Sequence, residues 1–90
     1  MITVEKLKIF EKYKGFDYDR ASERDVKILD YSEFMLIERL VQDIRLIRKR
    51  LAAKSYEQQT NVLLEESCDC LETIDYLKKM AVRITDLNNN

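Results

Sequence analysis

The stretch DYSEFMLIERLVQDIRLIRKRL, residues 30–51, decides the fold class. Phe34, Ile37, Leu40, Val41, Ile44, Ile47 and Leu51 recur in it at steps of three and four, the spacing of one face of an α-helix. Asp30 followed three residues later by Glu33 is a helix-start signal. Arg48, Lys49 and Arg50 near the end complement the negative pole of a helix dipole. Leu36 widens the apolar stripe, so this helix is expected to pack on two sides, over about residues 31–53.

The same grammar continues in both directions. Toward the N-terminus, Thr3 caps a helix over 4–14 that carries Val4, Leu7, Phe10 and Tyr13, and Gly15 stops it. Residues 16–21 have no period and read as a loop whose Phe16 and Tyr18 tuck onto the core. Ser22 with Asp25 opens a short helix over 23–29, anchored by Val26, Ile28 and Leu29. Toward the C-terminus, Ser55 with Gln58 is a capping box that starts a helix over 56–67. Its line is Tyr56, Thr60, Leu63 and Ser67, flanked by Val62 and Leu64. Asp69 with Glu72 opens the last helix, 70–86, on the stripe Leu71, Ile74, Leu77, Ala81 and Ile84. Leu87 and Asn88–Asn90 are expected to fray.

The sequence thus predicts one all-α domain over residues 1–90, a compact orthogonal bundle of about five helices without strands. Helices one, three and five form its core, and Leu40, Ile44, Ile74 and Leu77 are nearly fully buried. The chain has no proline and one glycine, which removes most sheet, tight-turn and phosphate-loop architectures.

Composition narrows function mainly by exclusion. There is no histidine, hence no ordinary general base near neutral pH, no imidazole metal ligand and no familiar nucleophile triad. The serines Ser22, Ser32, Ser55 and Ser67 fall at or near helix ends. Cys68 and Cys70 are too close for an unstrained disulfide, and C-x-C matches neither a zinc nor a redox spacing. They read as small helix-boundary residues, one packed inward, in a reducing cytoplasm. Asp17 and Asp19 start but do not complete a calcium loop. No apolar run reaches the roughly 18–20 residues of a membrane span, and the first residues lack the apolar region of a secretory signal. No enzyme activity, metal or cofactor is expected.

The informative pattern is how the charges are sorted. The net charge of −1 conceals blocks. Residues 39–54 carry six bases against Asp43, while residues 57–76 carry six acids and no base. Internal pairing between the two blocks is the plain explanation. Outward display toward a partner is the functional one. The candidate partner-binding residues are therefore Glu65, Glu66, Glu72 and Asp75, which lie off the apolar lines of their helices. The alternative is a basic patch of Arg45, Arg48, Lys49 and Arg50.

The expected function is non-catalytic protein–protein binding by a monomer or homodimer in a bacterial-type cytoplasm. Its concrete form is an immunity- or antitoxin-like inhibitor of a larger partner. A homo-oligomeric structural or adaptor protein is the first alternative. A nucleic-acid-binding regulator using the basic end of the third helix is the weaker one, because nucleic-acid domains are usually basic overall.

Overall fold

A computed structural model describes residues 1–14 and 18–84. It is an all-α bundle of α1 (Val4–Tyr13), α2 (Glu23–Ile28), α3 (Tyr31–Arg50), α4 (Ala53–Glu65) and α5 (Leu71–Arg83). A 3₁₀ turn over Tyr18–Arg20 precedes α2, inside the segment expected to be a loop. Gly15, Phe16 and Asp17 lie outside the described residues, as do 85–90. Helix α5 itself ends at Arg83, short of the expected 86, because Ile84 turns extended (φ −79°, ψ 104°).

Helix starts follow the sequence where a side chain can reach a free amide. Thr3 accepts from the Lys6 amide at 3.2 Å, Ser22 from Asp25 at 3.2 Å and Asp30 from Glu33 at 2.9 Å. Each satisfies one of the donors that a helix N-terminus leaves over.

The two later starts differ from expectation. Leu51 turns extended (φ −118°, ψ 152°), so α3 ends at Arg50 instead of residue 53. The chain needs only Leu51 and Ala52 to re-enter helix, and α4 begins at Ala53 instead of residue 56. Ala52 holds the cap position with no side-chain bond, and Ser55 lies inside the first turn. At α5 the cap position falls to Cys70, again without a side-chain bond. Asp69 is held outside the helix because its amide donates to the Ile2 carbonyl at 3.0 Å. Ile2 in turn donates to the Ser67 carbonyl at 2.8 Å, so the N-terminus forms an isolated parallel bridge beside Cys68. The Asp69 carboxylate instead accepts from the Thr73 hydroxyl.

These caps can be ranked by mutation. Asp30→Ala is expected to cost about 0.5–2 kcal/mol in urea melts, and Ser55→Ala close to nothing. Equal losses at the two positions would contradict the observed start of α4.

The core gathers Ile2 with Leu7 and Phe10 of α1, Ile37, Val41 and Ile44 of α3, Leu64 of α4, and Leu77, Met80 and Ala81 of α5. Leu40 and Ile74 are buried with them. Helix α3 is the hub: it packs against α5, α4 and α1, and α5 also contacts α1 and α4. The molecule is only 17 Å thick along its shortest axis. That thickness is room for two helix layers at the usual interaxial distance of about 8–10 Å.

Three apolar expectations are corrected. Leu36 does not widen the buried stripe of α3: it is 42 % exposed, and Met35 and Leu46 are exposed as well. Leu71 does not begin the α5 stripe but is 79 % exposed, because α5 turns inward only from Thr73 and Ile74. Val26 is exposed as well. The inward positions of the six-residue α2 belong to Asp25, 8 % exposed, with Ile28 and then Leu29 completing the contact.

Candidate functional site

The surface chemistry is set by the helical rotation of about 100° per residue, which fans consecutive cations around α3. Arg45, Arg48 and Lys49 turn toward α5, whereas Arg50 turns toward α4. The four basic candidates therefore occupy two sides of the helix. Two adjoining cavities lie along the α5 side and share Arg48 and Val82. One, of about 430 Å³, brings Tyr56 and Glu57 of α4 against Asp75, Lys78 and Lys79 of α5. The other, of about 440 Å³, has Ile44 and Ala81 at its floor and Arg45 and Lys49 at its rim. Lys78 is held there by the Glu57 carboxylate and by Asn61 Oδ1 at 3.0 Å. The side of α3 that carries Arg50 has a smaller cavity of about 300 Å³, mostly apolar, with Leu46, Leu51 and Leu63 in its wall.

The acidic candidates also divide. Asp75 sits among the cations of the first cavity. Glu65 and Glu66 stand at the outer end of α4, and Glu72 in the first turn of α5. All three are exposed, and none enters an ion pair among the described residues. Beside them is Val62, 68 % exposed. Val62, Glu65 and Glu66 are spaced i, i+3, i+4 and so share one face of α4. Val62, expected to flank the core, is instead open to solvent, and Lys78 and Lys79 join the site although no pattern in the sequence singles them out. The signal for Val62 was available in its spacing to the two glutamates, three and four residues on.

Other charged groups are consumed by the fold. The Asp25 carboxylate accepts from the Tyr13 hydroxyl at 2.5 Å and from Lys12 Nζ at 3.1 Å, tying α2 to α1. The Tyr13 hydroxyl first, then Lys12, hold this carboxyl below the usual aspartate range. Glu11 on α1 accepts from the Tyr76 hydroxyl at 2.5 Å and from Arg83 Nη2 at 2.7 Å, both on α5. Burial works to raise the Glu11 pKa, but Tyr76 and Arg83 together outweigh it and hold it low. Lys6 pairs with Glu33, linking α1 to the start of α3.

Cys68 is buried and Cys70 exposed, both as free thiols. Burial pushes the Cys68 thiol up to about 11, so little thiolate exists near neutral pH. Among the described residues no group of three or more Cys, Asp or Glu gathers in a metal-holding arrangement. No described helix is long and apolar enough to cross a membrane. Comparison with known proteins adds no relative: no family model, curated protein or solved structure matches the chain.

Proposed function

We propose that the protein is a small non-catalytic binding domain that docks on a basic protein partner, as an immunity- or antitoxin-like inhibitor does in a bacterial cytoplasm. The observation that carries this reading is the outer end of α4. Exposed Val62 there adjoins Glu65 and Glu66, and neither carboxylate is used by an ion pair among the described residues. Two carboxylates left without cations would steer the approach of a basic partner, and Val62 would add apolar area to the contact once it forms. Internal neutralisation of α3 accounts for little of the acidic block: Glu57 pairs with Lys78 of α5, and Glu57 and Asp75 share a cavity with one cation of α3, Arg48. The nucleic-acid reading is weaker, since those same two carboxylates stand inside the basic groove, where phosphates would meet them.

The test begins with capture of the partner from source-cell extract by the tagged wild-type protein. Association kinetics against that partner are then measured with the Glu65→Lys, Glu66→Lys double variant. Association is expected to slow roughly tenfold at low salt and to lose most of its salt dependence, with the melting temperature unchanged. A lowered melting temperature with unchanged association would assign the two carboxylates to fold stability and remove the docking surface.

A further inference from the structure

The outward face of α5 is complementary to itself when turned end for end. Ile74, Leu77, Met80, Ala81 and Ile84 bury the inner side. Leu71, Asp75, Lys79 and Val82 are all exposed. At 3.6 residues per turn these four fall within an arc of about 80°. Along the helix axis their order is apolar, acidic, basic, apolar. Leu71 and Val82 lie eleven residues apart, about 16 Å at 1.5 Å per residue. Both are large and open, at 79 % and 43 % exposure. Asp75 and Lys79 appear in no ion pair among the described residues. Lys78 is already committed to Glu57.

We propose that α5 pairs antiparallel with α5 of a second copy of the chain, about a twofold axis passing between Tyr76 and Leu77. The axis sets Leu71 against the partner's Val82 and Val82 against the partner's Leu71. It also sets Asp75 beside the partner's Lys79, and the reciprocal pair follows by symmetry. A parallel arrangement would instead face Asp75 with Asp75 and Lys79 with Lys79. The charge order thus selects the antiparallel one, as cross-helix charges set orientation in coiled coils. Such a contact is isologous and closes at two copies. One helix pair of thirteen residues is a small interface. It falls at the low end of the range for specific association, roughly 1,200 Å² in total, so the dimer is weak and sensitive to salt. The Val62–Glu66 face of α4 takes no part, and the inference does not depend on the partner-docking reading.

Sedimentation equilibrium on the purified chain tests it without any other protein. Wild type at roughly 0.5 mM in low salt is expected to be largely dimeric, and largely monomeric in roughly 0.5 M salt, where screening falls to a few Å. Asp75→Lys and Lys79→Asp each place like charges across the axis, and each alone is expected to associate at least roughly tenfold more weakly. Mixed one to one, these two variants set opposite charges at both pairs, and a heterodimer is expected to return at least at wild-type strength. Circular dichroism melts should show both variants folded, since both positions are exposed. A wild type that stays monomeric at low salt overturns the proposal. So does a dimer that survives either single reversal, which would place the contact on another surface, or a mixture that fails to reassociate.

Discussion

Leu77→Ala is expected to remove about 2–5 kcal/mol of folding stability. The whole fold of a chain this size has only about 5–13 kcal/mol, at 0.05–0.15 kcal/mol per residue. Leu77 is fully buried at the middle of α5, the helix that contacts α1, α3 and α4. Truncation there removes the transfer energy of the lost carbons and leaves a cavity that the surrounding helices cannot close without moving together. Ile44, fully buried on α3, should behave alike. Leu71→Ala is the control on the same helix. Leu71 is exposed, so its loss should stay within about 0.5 kcal/mol in the monomer. Urea melts at low protein concentration and high salt measure all three without the contribution of self-association. A Leu77→Ala loss below about 0.5 kcal/mol, or one matched by Leu71→Ala, would mean that the register of α5 is wrong.

That contrast shows what periodicity reveals. The steps of three and four residues identify α3 and α5 because burial on one side of a helix leaves that mark directly. They place Leu40, Ile44, Ile74 and Leu77 in the core, where the structure has them. They do not say where burial begins along a helix, so Leu71 read as core although α5 turns inward only from Thr73. Capping patterns are equally local. Asp30 worked because its carboxylate reaches the Glu33 amide. Ser55 failed because the Leu51–Ala52 corner had already restarted the helix at Ala53. The Ile2 bridge to residues 67–69 joins chain segments more than sixty residues apart, and no local pattern encodes it.

The charged surface was legible in composition but not in arrangement. Sorting into blocks is visible in the sequence, and the exposure of Glu65 and Glu66 follows from their position off the apolar line. Which cation meets which anion depends on how helices turn toward each other. Arg48 and Arg50, two residues apart, face different cavities. Asp75 left the acidic group for a basic neighbourhood because α5 lays it beside Lys79 and across from Arg48. Asp25 is a plainer case. An acid near the start of a short helix looks like an ordinary solvated residue, and only the approach of Tyr13 from α1 makes it a buried acceptor.

Phe34→Ala is expected to cost about 3–5 kcal/mol, the range for removing a buried ring. Phe34 lies between two aromatic partners: its centroid is 4.8 Å from Phe10, and 4.3 Å from Tyr18 in a stacked arrangement with 13° between planes. Tyr18 also meets Tyr13 edge-on at 5.4 Å. The Tyr18 hydroxyl donates to the Leu29 carbonyl and lies 3.3 Å from the Asp25 carbonyl. The 3₁₀ turn and α2 therefore hang on this ring stack and on the Asp25 bonds, because α2 is too short to bury a stripe of its own. Removing Phe34 should loosen residues 18–29 before the rest of the fold. In native-state hydrogen exchange, protection in α2 should fall by more than protection in α5. Tyr18→Phe keeps the stack and removes only the hydroxyl, so it should cost about 1–3 kcal/mol, the penalty for leaving a buried carbonyl without its donor. If Phe34→Ala loses less than Tyr18→Phe, the hydroxyl rather than the stack holds the segment. If protection falls evenly through all helices, α2 unfolds with the core, and its attachment is as strong as that of α1.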